Sequence, residues 1–243
     1  MSDLKKEMIE IVKELYKNNL LDTQGGNISA REGNSIFVTR RESSSEKHWD
    51  LNEEDIIETD LLGKAKNPEM QRFLTRESRT HYRVLNEIPN INAIFHVHSQ
   101  YLLAFASLKI SLPIVTSLAW AQGFPKYVQY IKDEPAVSIR EAEATARYLK
   151  YLYNKNPNGG FACLLAGHGA VVCGKNLKDA FTKLHTLENN ARTFLYMEII
   201  KSSNHYNESR TRELDDMFDS WVDIQNTPIK KLALYFEKEG VEF

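Results

Sequence analysis

Only two cysteines, Cys163 and Cys173, occur in the 243 residues. That is too few for a disulfide framework, and without C-x-x-C spacing neither a zinc knuckle nor a thioredoxin-type redox pair is available. Both read as small buried apolar residues. No stretch is apolar for long enough to span a bilayer. The opening MSDLKKEMIEIVKELYKNNL alternates apolar and charged residues, where a secretory leader would carry an apolar centre. Charge of one sign is also missing: 31 basic residues stand against 33 acidic ones, so no basic surface for nucleic acid or acidic lipid is expected. Internal repeats and low-complexity linkers are absent. What remains is an ordinary globular composition, expected in the cytoplasm, with no nucleic-acid or membrane partner. The length suits one large domain.

Leu4, Met8, Ile11, Val12 and Leu15 recur at helical steps and predict an amphipathic first helix ending near Asn18 and Asn19. A glycine turn and a hairpin follow, with a β-prone run over 35–39. Residues 40–55 are polar and rich in breakers, and predict an exposed loop. A second helix is expected to start near Thr75 or Arg76, carry Tyr82, Val84 and Leu85 inward, and stop at Ile88 because Pro89 disfavours helical geometry before it. Residues 140–153 predict another helix, with Ala142, Ala146, Leu149 and Tyr153 on one face. Asn176 is placed to cap a long helix with Asp179 in its first turn. Two weaker helical stretches are expected over 208–223 and 228–239. Strands interleaved with helices imply a layered α/β fold.

The segment NAIFHVHSQ, residues 92–100, carries His96 and His98 at the end of an apolar strand. Side chains two apart on a strand share a face, so both imidazoles project together while Phe95 and Val97 pack on the other side. A third histidine, His168, stands between two glycines in AGHGAVV, where bare backbone can come close. Three imidazoles leave a divalent ion such as zinc with open positions, which is the pattern of a catalytic site. Glu77 opens the helix that leads through Pro89 into the His96 strand, so it can reach the same place as a ligand or a general base. From these residues alone, hydrogen-bonded core histidines remain an equal alternative. His81, four residues after Glu77, is expected behind it, and His48, His185 and His205 have no visible partner.

GGNIS at 25–29, TRESRTHYRVLNEIPNINAIFHVHS at 75–99 and AGHGAVVCGKNLKDAFTKLHTLE at 166–188 resemble, in order and spacing, the class II aldolase and adducin superfamily. The resemblance implies a three-layer α/β/α sandwich around a largely antiparallel central sheet, as one domain over 1–243 with a core of residues 5–200 and a helical extension over 205–243. It implies that His96, His98 and His168 hold Zn2+ or another divalent metal such as Mn2+, Co2+ or Fe2+, with Glu77 as acid/base and possible fourth ligand. It further implies a small-molecule substrate and a homotetramer with sites at subunit interfaces. The expected activity is aldolase-type carbon-carbon cleavage, in which the metal acts as a Lewis acid to stabilise an enediolate, on a hydroxy-carbonyl sugar phosphate or sugar acid. Decarboxylation of a β-keto sugar acid, 4-epimerisation and dehydration are the alternatives within the enzyme class. A non-enzymatic adducin-like assembly role would predict loss of the histidines, and all three are present.

The anion end departs from the family pattern. Gly26, Asn27 and Ser29 keep the first phosphate turn, but Thr39, Arg40 and Arg41 stand where small residues are usual, and Thr75-Arg76 replaces a hydroxyl pair. Arginine grips phosphate or carboxylate through two parallel bonds, so an acidic group is expected there. The family's donor tyrosine is matched by Ser117. Tyr127, Tyr130 and Tyr235 are the other tyrosines considered for that role.

Overall fold

The computed structural model describes residues 3–132 and 134–202. The predicted first helix is α1 (Asp3–Lys17), with Met8, Val12 and Leu15 buried. Then come the hairpin strands β1 (Asn27–Glu32) and β2 (Ser35–Thr39), and β3 (Ile56–Asp60). Helix α2 (Ser78–Glu87) starts three residues later than its earliest expected point, Thr75, and is capped by Ile88, as the following proline requires. Strand β4 (Ala93–Val97) leads into α3 (Gln100–Leu108), the two-residue strand β5 (Leu112–Pro113) and α4 (Ser117–Ala121). Short strands β6 (Tyr127–Val128) and β7 (Tyr130–Ile131) precede α5 (Ile139–Lys155). Last come β8 (Phe161–Leu165), β9 (Gly169–Gly174) and α6 (Leu177–Ser202). Asn176 does cap this helix, its Oδ1 accepting from the Asp179 N–H at 2.9 Å. The stretches 208–223 and 228–239 lie outside the described residues. No described helix is long and apolar enough to cross a membrane.

Seven strands form the central sheet in the order β3-β2-β1-β4-β9-β8-β7. Every pair is antiparallel except β7 with β8. Helices cover both faces, so the architecture is the expected α/β/α sandwich around a largely antiparallel sheet. One face packs Ile28, Phe95, Val97, Leu164 and Val172 against α1, α3 and the first half of α6. The other packs Ile36, Val38, Ile94, Cys163 and Val171 against Val84 and Leu85 of α2 and Leu149 of α5. Burying each such large side chain contributes about 1.5–3 kcal/mol before entropy is counted. The strand period decides which side chains go where: Phe95 and Val97 enter the first layer, and His96 faces the second with Ile94.

One stretch differs from its sequence-based expectation. Residues 40–55 are polar on average, yet Ser43, Ser44, Trp49 and Leu51 are buried. Trp49 is 1% exposed and its Nε1 donates to the Asp22 carbonyl at 2.6 Å. The segment is therefore anchored against the glycine turn, because one large indole with a satisfied N–H outweighs the polar residues around it. Both cysteines are free and buried, and burial pushes their thiols up, Cys173 to about 12.

Candidate metal centre and substrate pocket

His96 lies in β4, at the centre of the sheet between β1 and β9. His98 is one residue past the strand end, and His168 is in the turn joining β8 to β9, which pairs with β4. Antiparallel pairing thus brings the two histidine motifs to the same end of the central strands. Two glycines make room for the rings. A Cβ on Gly25 would sit 2.3 Å from His98 Cε1, and one on Gly169 would sit 2.9 Å from His98 Cδ2 and 2.4 Å from the Val97 carbonyl oxygen. The His98 ring is held in a slot that only bare backbone permits.

The imidazole nitrogens converge. His96 Nε2 and His98 Nε2 are 3.2 Å apart, and Glu77 Oε1 lies 3.0 Å from His168 Nε2 and 3.6 Å from His96 Nε2. One potential ligand atom from each histidine falls within 4.8 Å of the other two. Four-coordinate zinc with Zn–N bonds of about 2.0–2.1 Å sets its donors about 3.3 Å apart, so these spacings fit a small divalent ion. The outward nitrogens are engaged as metal ligands require. His96 Nδ1 lies 3.2 Å from the Ala170 carbonyl, His98 Nδ1 3.6 Å from an Asp22 carboxylate oxygen, and His168 Nδ1 3.4 Å from Glu141 Oε1. An acceptor at each Nδ1 favours the tautomer that leaves Nε2 free to coordinate. Asp22 and Glu141 were not found by sequence reasoning. The spacing of Asp22 from the glycines was the available signal for the first, and Glu141 had none.

The charges follow from this packing. Burial alone would raise the Glu77 carboxyl, but the neighbouring His96 and His168 rings overcome it and hold the group down at about 2. Burial pushes His96 down to about 4 despite Glu77, and lowers His98 as well. His168 goes the other way, to about 9, because Glu141 and Glu77 on its two nitrogens outweigh its burial. Asn27 donates its side-chain N–H to Glu77 Oε2, fixing the carboxylate from the opposite side. His81 lies behind, with Nδ1 2.6 Å from Ser29 Oγ, and burial lowers it to about 3.

A cavity of about 450 Å³ opens onto this centre, lined by Gln24, Gly25, Gly26, Arg41, Ser44, Ser45, Thr75, Arg76, Glu77, Val137, His98 and His168 among others. Of the residues expected at the anion end, Gly26, Arg41, Thr75 and Arg76 therefore line it. Asn27 meets it through Glu77. Ser29 and Thr39 are fully buried, occupied by His81 and by the Ile28 backbone N–H, which donates to Thr39 Oγ1. Arg40 is placed elsewhere than expected: it pairs with Glu46 at 3.0 Å and Asp55 at 3.7 Å and stacks over Phe73. Arg41, the next residue, lines the cavity in its stead, since adjacent residues leaving a strand point to opposite sides.

A histidine and carboxylate centre able to take a divalent ion, at the ends of the central strands of a largely antiparallel sheet in an α/β/α sandwich, defines a class of metal-assisted enzyme site. Residues 6–195 match the family described as Class II Aldolase and Adducin N-terminal domain, and the chain belongs to that family as an aldolase-like enzyme. It is 29% identical over 197 residues to an L-fuculose phosphate aldolase of Methanocaldococcus jannaschii, covering 81% of this chain and 98% of the relative. A 3-oxo-tetronate 4-phosphate decarboxylase of Haemophilus influenzae is 27% identical over 201 residues, covering 82% and 90%. Among solved structures, an L-fuculose 1-phosphate aldolase superposes with a TM-score of 0.71 at 23% identity, over 90% of this chain and 97% of the other. That last likeness bears on the fold.

Proposed function

We propose that the protein is a divalent-metal-dependent lyase that breaks a carbon-carbon bond beside a ketone in a small acidic hydroxy-carbonyl compound, a sugar phosphate foremost. The convergence of three Nε2 atoms and the Glu77 carboxylate at the floor of the cavity carries this reading. His96, His98 and His168 would hold the ion, Zn2+ first by donor type. When bound, the ion supplies Lewis acidity to the substrate's carbonyl and hydroxyl oxygens.

The chain's own groups do the rest. Glu77 is ionised at rest and aimed by Asn27 and His168, so it serves as the base that moves the proton at the reacting carbon. Arg76 and Arg41, with the Thr75 hydroxyl, bind the anionic end of the substrate and set its distance from Glu77. In the cleavage the hydroxyl of the neighbouring carbon gives its proton to a base as that carbon departs as the aldehyde, and the bond's electron pair stays on an enediolate, which takes a proton back at carbon, so that no net proton is consumed. Decarboxylation of a β-keto acid is the second reading, favoured by the two cavity arginines and by the relative named as a decarboxylase. It leaves the same electron pair, with carbon dioxide departing in place of the aldehyde. A homotetramer with sites between subunits belongs to the proposal, and exposed Leu108 and Leu118 offer contact area for it.

Thermal-shift screening of sugar phosphates, sugar acids and keto acids, on the metal-loaded wild type and Arg76→Ala, tests the assignment. Ligands that stabilise the wild type and lose that effect in the variant are expected, with aldehyde or carbon dioxide release then separating the two reactions. Equal stabilisation of both proteins would remove Arg76 from the site, and no divalent metal in either wild type or His96→Ala would remove the lyase reading.

A further inference from the structure

Glu141 is 5% exposed at the start of α5, and its two carboxylate oxygens face different tasks. Oε1 lies 3.4 Å from His168 Nδ1, and Oε2 accepts from the backbone N–H of Val137 at 2.6 Å. Val137 is a β-branched residue at φ 64°, in the left-handed region where its side chain is crowded, and it lines the substrate cavity beside His168. Such a conformation is disfavoured and persists only when neighbours hold it. Two hydrogen bonds do so here: the Ser138 N–H donates to the Pro135 carbonyl at 3.1 Å, and Glu141 fixes Val137 from below. The Ser138 hydroxyl in turn accepts from the Glu141 N–H at 3.0 Å, which locks the carboxylate's own backbone.

We propose that Glu141 is a positioning residue that ties the third metal ligand, His168, to the cavity wall at Val137, so that one buried carboxylate sets both metal affinity and the shape of the substrate pocket. The proposal rests on the metal reading of the three histidines. A glutamine in this place has one acceptor and one donor end. Satisfying the Val137 N–H with its oxygen turns the amide N–H toward His168 Nδ1, which selects the tautomer with its proton on Nε2, where the ion must bind.

The test uses Co2+ as probe, with its visible spectrum and competition against a chromophoric chelator. Wild type is expected to bind, and Glu141→Gln to bind about 10–100-fold more weakly with an altered spectrum. Val137→Gly keeps the backbone N–H, so it is expected to match wild type in Co2+ affinity while changing substrate KM. If Glu141→Gln binds Co2+ as wild type does, the coupling is wrong and the lyase reading stands. If wild type binds no Co2+, both fall. Should Glu141→Gln fail to fold, the proton spectrum of the Zn2+-loaded wild type decides: an exchange-protected His168 Nδ1–H signal supports the proposal, and its absence overturns it.

Discussion

Residue by residue, each histidine of the centre has a second group beside its Nδ1. Glu77 is held ionised between Asn27 and His168, and its amide equivalent keeps the shape while losing the base. Glu77→Gln is therefore expected to lower kcat by about 10²–10⁴-fold, measured by aldehyde release from a turned-over sugar phosphate. Asp22 braces His98 from the turn before β1, where its Oδ1 also accepts the Gln24 and Gly25 N–H groups at 2.9 and 3.0 Å. Asp22→Ala frees both the turn and the ring. Metal affinity, read by chelator competition, is expected to fall by about 10-fold or more. The histidines and Glu77 could be picked out of the sequence as candidates by residue type and spacing, and the family resemblance favoured the metal reading over that of core histidines. Asp22 and Glu141 could not, because a carboxylate that acts through another residue looks like any surface acid until the fold brings it there.

At the scale of elements, the corner between β4 and α3 fixes where His98 stands. Helix α3 has no side-chain cap of its own from Ser99. The buried Glu188 of α6 supplies it instead, accepting from the Tyr101 N–H at 2.9 Å, the Leu102 N–H at 3.0 Å and the Ser99 hydroxyl at 2.8 Å. Its carboxylate sits at the positive end of the helix, although burial still raises its pKa. Glu188→Ala is expected to cost about 1–2 kcal/mol in chemical denaturation and to weaken metal binding with it, since the corner loses its anchor. Helix and strand identities were legible from periodicity for α1, α2, α5, α6 and β4. The folded-in segment around Trp49 was not, because composition averages over a stretch and a single anchoring side chain does not.

For the whole molecule, the clustered charges predict how stability of the metal-stripped protein varies with pH. Glu77, at about 2 against an ordinary 4.5, contributes stability that is present above 4.5 and lost as pH falls toward 2. His81 and His96, at about 3 and 4 against 6.5, contribute stability present above 6.5 and lost as pH falls through those values. His168, raised to about 9, contributes stability that is full below 6.5 and lost as pH rises through 9. The melting temperature of chelator-treated protein is therefore expected to peak near pH 6.5 and decline on both sides, which a calorimetric series over pH 3–10 would check. Added divalent ion binds neutral imidazoles and releases protons, so it should restore stability most on the alkaline side. A flat alkaline limb without metal would contradict the strong pairing of His168 with its two carboxylates.

From the sequence came the layered fold, the two faces of β4 and the candidacy of the three histidines and Glu77. The first two follow from local period, and the last from residue type, motif order and the family resemblance, all of which a linear chain displays. Only the folded chain shows which arginine of the pair 40–41 lines the cavity, that Asp22 and Glu141 lie beside His98 and His168, and that Glu188 caps α3. Those assignments depend on contacts between residues dozens of positions apart, where sheet pairing and helix packing, and no local pattern, set the distance.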